Sequence, residues 1–148
     1  MNLIMTGIDF VHAPMAQRER VSFVRGQVQA LLPELARMPG VAGCVLLATC
    51  NRTELYVHGE EGALLDPLAM LARAAGFDAA SFRGLSVTRA DKACVQHLMA
   101  VAAGLESQIF GDDQILTQVR DAAALAREAQ TTDSVLDTLF RRAVTAGK

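Results

Sequence analysis

Residues Val41–Ala48 form an unbroken apolar run, stopped upstream by Pro39-Gly40 and downstream by a polar cluster. A short apolar run bounded by turn residues reads as a buried strand. Thr53–His58 then alternates apolar and polar, the period of a second strand. Only Asn51-Arg52 and their neighbours separate the two, too few residues for anything but a tight hairpin. The chain must therefore build a sheet around this hairpin. Its tip reads Thr49-Cys-Asn-Arg52, so a thiol sits at the mouth of the sheet beside a permanent positive charge.

The other elements follow from periodicity and punctuation. Leu3–Phe10 is short and apolar and reads as a strand. Ala13-Pro14 is a loop. Val24–Arg37 has apolar residues at helical spacing (Val24, Val28, Leu31, Leu35), with Pro33 expected to kink or split the helix. Asp66-Pro67 opens a helix that Gly76 closes. Leu85–Val87 is a short strand. The order strand, helix, strand, strand, helix, strand is that of an α+β, ferredoxin-like split βαβ sheet. Three C-terminal helices are added to it. The first, Ala90–Ala103, is opened by a capping-box pattern, Thr88-x-x-Asp91, and closed by Gly104. The others are Asp113–Gln130 and Ser134–Ala146.

Composition narrows the classes. At 148 residues the chain is one domain's worth, and 51% hydrophobic content with 20% charge makes it globular. A net charge of −2 and no long basic run argue against a broad electrostatic grip on nucleic acid. Arg18, Arg20 and Arg25 make at most a small basic patch, and a solvated face is the better explanation of them. Three cysteines (Cys44, Cys50, Cys94) with no close pair fit a reducing cytosol and no disulfide framework. No C-x-x-C or H-x-x-x-H spacing points to zinc. No stretch is apolar over the length a membrane demands.

Two stretches carry side chains suited to chemistry. At the hairpin tip, Cys50 is a candidate nucleophile, since a nearby cation favours thiolate over thiol. A buried structural cysteine is the competing reading. His97, on the helix after Thr88 and sharing a face with Cys94 and Val101, suits a general acid or base if it meets Cys50. Otherwise it is a satisfied semi-buried histidine. The second stretch, Gly104–Gln114, is a glycine-bracketed loop. Asp112 and Asp113 explain themselves as the cap and dipole complement of the next helix. They also suit, with Gln114 and Gln118, an ammonium and hydroxyls, while Arg52 suits a carboxylate. Such a set fits an amino acid whose carbonyl carbon lies at Cys50.

Taken in register, Thr49-Cys-Asn-Arg-Thr-Glu54, His97-Leu98, Gly104-Leu105-x-Ser107, Gly111-x-x-Gln-Ile115 and Gln118-Val119 closely resemble glutamyl-tRNA reductase. Gly7-Ile8, Ala13-Pro14 and Arg18-Glu19 fit the same pattern. The resemblance implies an enzyme that reduces glutamyl-tRNA to glutamate-1-semialdehyde with NADPH, at the entry to tetrapyrrole (porphyrin) synthesis. It implies Cys50 as the thioester-forming nucleophile and His97 as the activity-critical histidine. Thr49, Asn51, Arg52, Ser107, Asp112, Asp113, Gln114 and Gln118 fall at substrate-contacting positions. It further implies a cytoplasmic homodimer at full length, no membrane, and glutamate-1-semialdehyde aminomutase as a pathway partner.

The chain departs from the family pattern at three places. Ile8-Asp9-Phe10 replaces Ile-Asn-His, Gly111-Asp112-Asp113-Gln114 replaces Gly-Glu-Pro-Gln, and Gly104-Leu105-Glu106-Ser107 replaces Gly-Leu-Asp-Ser. A shorter carboxylate at 112 and a lost proline at 113 alter that helix start. No G-x-G-x-x-G follows a strand, so no dinucleotide fold is expected in this chain. Residues 1–148 then read as the N-terminal catalytic domain, with a connecting helix beginning near 132. The NADPH-binding and dimerisation domains would lie outside it, and the domain alone would not reduce its substrate. The alternatives are a ferredoxin-like module that binds a small ligand or RNA, or a divergent paralogue without reductase activity.

Overall fold

Four strands pair antiparallel in the spatial order β2-β3-β1-β4, with β1 at Leu3–Asp9, β2 at Val41–Ala48, β3 at Arg52–Gly59 and β4 at Val87–Ala90. The computed structural model describes residues 2–107 and 114–148. The hairpin demanded by the apolar run makes one side of the sheet, with β2 at the edge and β3 inside. Leu46 faces Leu55 and Ala48 faces Thr53 across it, while β1 pairs along the other side of β3 from Leu3↔His58 to Asp9↔Arg52.

Side chains alternate across the sheet, so this register sorts them onto two faces. Ile8, Thr53, Leu55, Val57 and Cys44 point to one face. There α2 (Arg25–Ala36) packs on β2, and α3 (Pro67–Ala75) packs on β1 and β3. A short α1 (Met15–Glu19) and a 3-10 helix (Ala79–Leu85) join them. Ile8, Ala13, Val21, Leu68 and Phe82 form a separate small core at that end. Met5, Arg52, Glu54 and Tyr56 point to the other face, which α4 (Lys92–Ala102) and α6 (Ser134–Gly147) cover. Phe140 of α6 meets Tyr56 edge-on, ring centroids 5.3 Å apart. Burying a side chain of that size contributes about 1.5–3 kcal/mol.

The fifth helix, α5 (Gln114–Glu128), runs against β2, the outer strand. The turn after it seals that edge. Thr131 accepts a hydrogen bond from the Cys44 N–H (2.8 Å), and its hydroxyl donates to the Cys44 carbonyl (3.1 Å). An unpaired strand edge invites association, and this turn occupies it. His58 and Asp133 join the same turn to β3, and the Asp133 carboxylate also caps α6 at the Leu136 N–H.

Several local readings need correction. The helix predicted from Ala90 begins at Lys92, and Thr88-x-x-Asp91 is no capping box. Thr88 belongs to β4, where its hydroxyl pairs with that of Thr6 at 3.0 Å. Asp91 has φ 50° and spends its carboxylate on the Leu3 N–H (3.0 Å), tying the helix start to β1. Pro33 does not split α2. The carbonyl deprived of a partner is that of Gln29, an exposed residue, so water can serve it. The short strand expected at Leu85–Val87 lies at Val87–Ala90, and neither α1 nor the 3-10 helix was expected. The caps at Asp66 and Gly76 are as predicted: Asp66 accepts from the Ala69 N–H, and Gly76 closes α3 at φ 83°. The expected cap at Asp112 and helix start at Asp113 lie outside the described residues.

Candidate active site

The strands of the hairpin end three residues apart, and Thr49 closes the gap. Its hydroxyl accepts from the N–H groups of Asn51 and Arg52 (3.2 Å each), and its own N–H donates to the Arg52 carbonyl (2.8 Å). The Asn51 carbonyl accepts from the Phe10 N–H (2.9 Å), which ties the tip to the end of β1. With its neighbours held inward, Cys50 is carried outward. It is exposed, whereas Cys44 and Cys94 are buried. Burial pushes both buried thiols up to about 12, helped at Cys94 by the charges of Glu54 and Asp91. Only Cys50 is placed to react near neutral pH. It opens on a cavity of about 380 Å³ shared with Met15, Arg18, Glu19 and Ser22.

Directly below the tip, Arg52, Glu54 and Tyr56 succeed one another on one face of β3. Sequence logic leaves alternate polar residues to solvent, but α4 and α6 cover this face. The Glu54 side chain is 1% exposed and that of Arg52 3%. Arg52 Nη1 donates to Glu54 Oε2 (3.1 Å), the Tyr56 hydroxyl to Oε1 (2.8 Å), and His97 Nε2 to Oε2 (2.6 Å). Burial alone would raise the Glu54 pKa, but the hydrogen bond and charge of His97, the charge of Arg52 and the Tyr56 hydroxyl together hold it below the ordinary range. The carboxylate is ionised and accepts only, so Nε2 of His97 is the donor in their hydrogen bond. Burial and the Glu54 charge raise Tyr56 well above the usual phenol value.

This network fixes both residues that the sequence singles out beside Cys50. The guanidinium of Arg52 is already engaged: Nη1 by Glu54, and Nη2 by the carbonyl of Glu106. His97 hangs from α4 with its side chain 11% exposed. It turns Nε2 to Glu54 and lines a second cavity, of about 270 Å³, with Asp9, His12, Arg89 and Glu106. Asp9 and His12 are themselves paired (2.8 Å). Cys50 and His97 line different cavities.

Of the expected contacts, Thr49, Asn51 and Arg52 line the cavity of Cys50. Ser107 is half-buried, and Gln114 is the exposed first residue of α5. Gln118, half-buried, lines a third cavity with Arg25 and Asp121, between α2 and α5. Asp112 and Asp113 lie outside the described residues. Among the described residues no cluster of His, Cys, Asp or Glu suits a metal ion. Sequence reading gave Glu54 and Tyr56 no role. The available signal was their period-2 spacing from Arg52, which puts a cation, an anion and a phenol on one strand face.

Fold and site together define a class: an α+β domain that presents one accessible thiol on a hairpin tip, above a buried ionised network. Comparison with known proteins gives that class a family. Residues 6–148 match the family described as "Glutamyl-tRNAGlu reductase, N-terminal domain". The whole chain is 45% identical to 45% of the glutamyl-tRNA reductase of Acetivibrio thermocellus, and 41% identical to 34% of that of Moorella thermoacetica. The structure of glutamyl-tRNA reductase from Methanopyrus kandleri superposes with a TM-score of 0.79 at 30% identity, over 98% of this chain and 33% of that one. The chain belongs to the glutamyl-tRNA reductase family. It spans less than half the length of the curated relatives it matches.

Proposed function

We propose that this chain is the acyl-accepting domain of a glutamyl-tRNA reductase, with Cys50 as the nucleophile. The observation that carries the reading is the exposure of Cys50 alone among the three thiols, on a hydrogen-bonded tip and beside a cavity. The Cys50 sulfur attacks the glutamyl ester carbon. A C–S bond forms, the ester C–O bond to the ribose breaks, and the thiol proton ends on the released ribose hydroxyl. Splitting the reduction in this way replaces one hard step by two easier ones. Arg52 selects the acidic side chain of the glutamyl group, and Glu54 holds both Arg52 and His97 in place. Thr49 and Asn51 shape the tip. Ser107, Asp112, Asp113, Gln114 and Gln118 complete the glutamyl pocket. The exposed thiol supports this reading over a simple binding module.

Reduction of the thioester needs a hydride, which NADPH would supply from another part of the whole protein. The described residues do not fit a dinucleotide. Every strand pair is antiparallel, and the left-handed glycines Gly40, Gly62, Gly76 and Gly104 sit in turns and helix ends, not in a strand-to-helix phosphate loop. Residues 1–148 are therefore proposed as one catalytic domain, with the sheet order β2-β3-β1-β4 as support for a ferredoxin-like assignment. The helix from Ser134, expected as a connection to further domains, serves first as a core element through Leu136, Leu139, Phe140 and Ala143. A homodimeric full-length enzyme in the cytoplasm, handing its aldehyde to the aminomutase, completes the proposal. No helix among the described residues is long and apolar enough to cross a membrane.

The test is a mass spectrum of the chain after incubation with glutamyl-tRNA and acid quenching. One glutamyl residue on Cys50, absent from Cys50→Ser, is the expected result. An unmodified Cys50 under conditions where the ester survives would refute the reading.

A further inference from the structure

The two long edges of α5 carry opposite charge. Asp121 and Glu128 lie seven residues apart and so share one edge of the helix. That edge faces α2: Glu128 pairs with Arg25 at 3.9 Å, and Asp121 lines a cleft with the same arginine. Arg120 and Arg127 each precede one of these acids, a rotation of about 100° on an α-helix. They face α6, where they meet Arg141 around a groove of about 190 Å³. The floor between the three guanidinium groups is apolar, made by Ala123, Phe140 and Val144. The acids of α5 are spent on its other edge. Among the described residues Asp137 is the one carboxylate paired with the arginines of the groove. It accepts from Arg127 through Oδ1 (3.1 Å) and from Arg141 through Oδ2 (3.0 Å). Arg120 has no ion pair among the described residues. Three fixed positive charges therefore surround one carboxylate, on a chain whose net charge is −2.

We propose that this groove docks an acidic amphipathic helix of a partner protein. The excess charge calls for anions, and a guanidinium takes a carboxylate through two parallel hydrogen bonds. Spacing fixes where the carboxylates lie. Arg120 and Arg127 stand about 10 Å apart along α5, which is also the rise between residues seven apart on a second helix laid beside it. The floor fixes what lies between them. A groove of about 190 Å³ is smaller than a cofactor site and takes one aliphatic side chain. A leucine with an acidic residue about one turn before it and another about one turn after it meets both requirements, and helices of that pattern bind in apolar grooves. An RNA backbone fits less well. Its phosphates need no apolar floor, and a strand crossing α5 would pass from the arginines to the repulsive edge of Asp121 and Glu128. Neither Cys50 nor acyl transfer enters this inference.

The probe is a fluorescently labelled, stapled helical peptide with one leucine, a glutamate four residues before it and another three residues after it. Fluorescence anisotropy follows its binding to the 148-residue chain. Binding should saturate, and should weaken as salt rises. Arg120→Gln should weaken it about two- to fivefold, the range set by an exposed ion pair. Asp137→Asn should tighten it by a similar factor, because the carboxylate that competes for Arg127 and Arg141 is gone. A gain of affinity cannot come from a damaged fold. Exchanging the peptide's leucine for serine, or its glutamates for glutamine, should weaken binding further than either protein variant weakens it. A peptide that does not bind, that binds equally well without its leucine, or that ignores both Arg120→Gln and Asp137→Asn would overturn the proposal. So would a single-stranded oligouridylate that binds more tightly than the peptide and weakens in Arg120→Gln, or a dimer of the chain in sedimentation that Arg120→Gln dissociates.

Discussion

Replacing Glu54 by glutamine removes one charge from the centre of the buried network and almost no volume. The structure sets the size of the effect. Glu54 Oε2 accepts from both Arg52 and His97, and Oε1 accepts from Tyr56. An amide offers one oxygen to those three donors and turns its own N–H groups on the rest. The Arg52 guanidinium is left buried without a counter-charge. Breaking one side of a buried pair costs about 3–5 kcal/mol. For a domain near 150 residues that lowers the melting temperature by about 6–20 °C. The pH dependence fixes the cause. Glu54 titrates lower in the folded chain than its ordinary value of 4.5. Its contribution is therefore full above that value and is lost as pH falls toward the folded value. Over that window the wild type loses about 1.4 kcal/mol per pH unit that Glu54→Gln does not. Thermal melts at pH 7 and pH 3.5 should show a wide gap between the two proteins that narrows on acidification. A loss below about 3 °C at pH 7, or a gap unchanged by acid, would refute an ionised, charge-coupled Glu54.

Two further outcomes follow from the same geometry. In the folded chain at pH 7.5, iodoacetamide should label Cys50 while Cys44 and Cys94, whose thiols are pushed up to about 12, react only after unfolding; peptide mapping of the labelled chain checks the order. Gly7→Ala would place a Cβ 2.8 Å from Glu54 Cγ, so it should cost about 1–3 kcal/mol by overpacking in urea denaturation and displace the carboxylate from its donors, whereas Gly26→Ala, with nothing within 4 Å, should not destabilise.

The elements that sequence placed well are those whose signals are local. The hairpin around Cys50 follows from an apolar run too short for a helix and a connection too short for anything else. Asp66-Pro67 and Gly76 mark α3 because cap and stop lie within it. Where a residue serves a distant partner, local reading misleads. Thr88 and Asp91 have capping-box spacing, but Thr88 is claimed by Thr6 across the sheet and Asp91 by the Leu3 backbone. The 3-10 helix at Ala79–Leu85 has no periodicity to announce it, and is anchored by Phe82 in a core contributed by three other segments. Arg52, Glu54 and Tyr56 look like the wet side of an edge strand until α4 and α6 cover them.

That cover changes what the positive charge beside Cys50 can do. A solvated arginine at the tip would attract any anion, weakly and without orientation, and salt would screen it. Arg52 is held from one side by Glu54 and touches the Glu106 carbonyl on the other. A ligand carboxylate that reaches it must replace that carbonyl, exchanging a neutral acceptor for a charged and bidentate one, which is the stronger bond. Glu54 remains bound throughout, so the guanidinium does not have to be reoriented when the exchange occurs. On the proposed role of Arg52, selectivity would lie in that exchange: a neutral side chain cannot match the carbonyl it would displace, and an acidic one can exceed it.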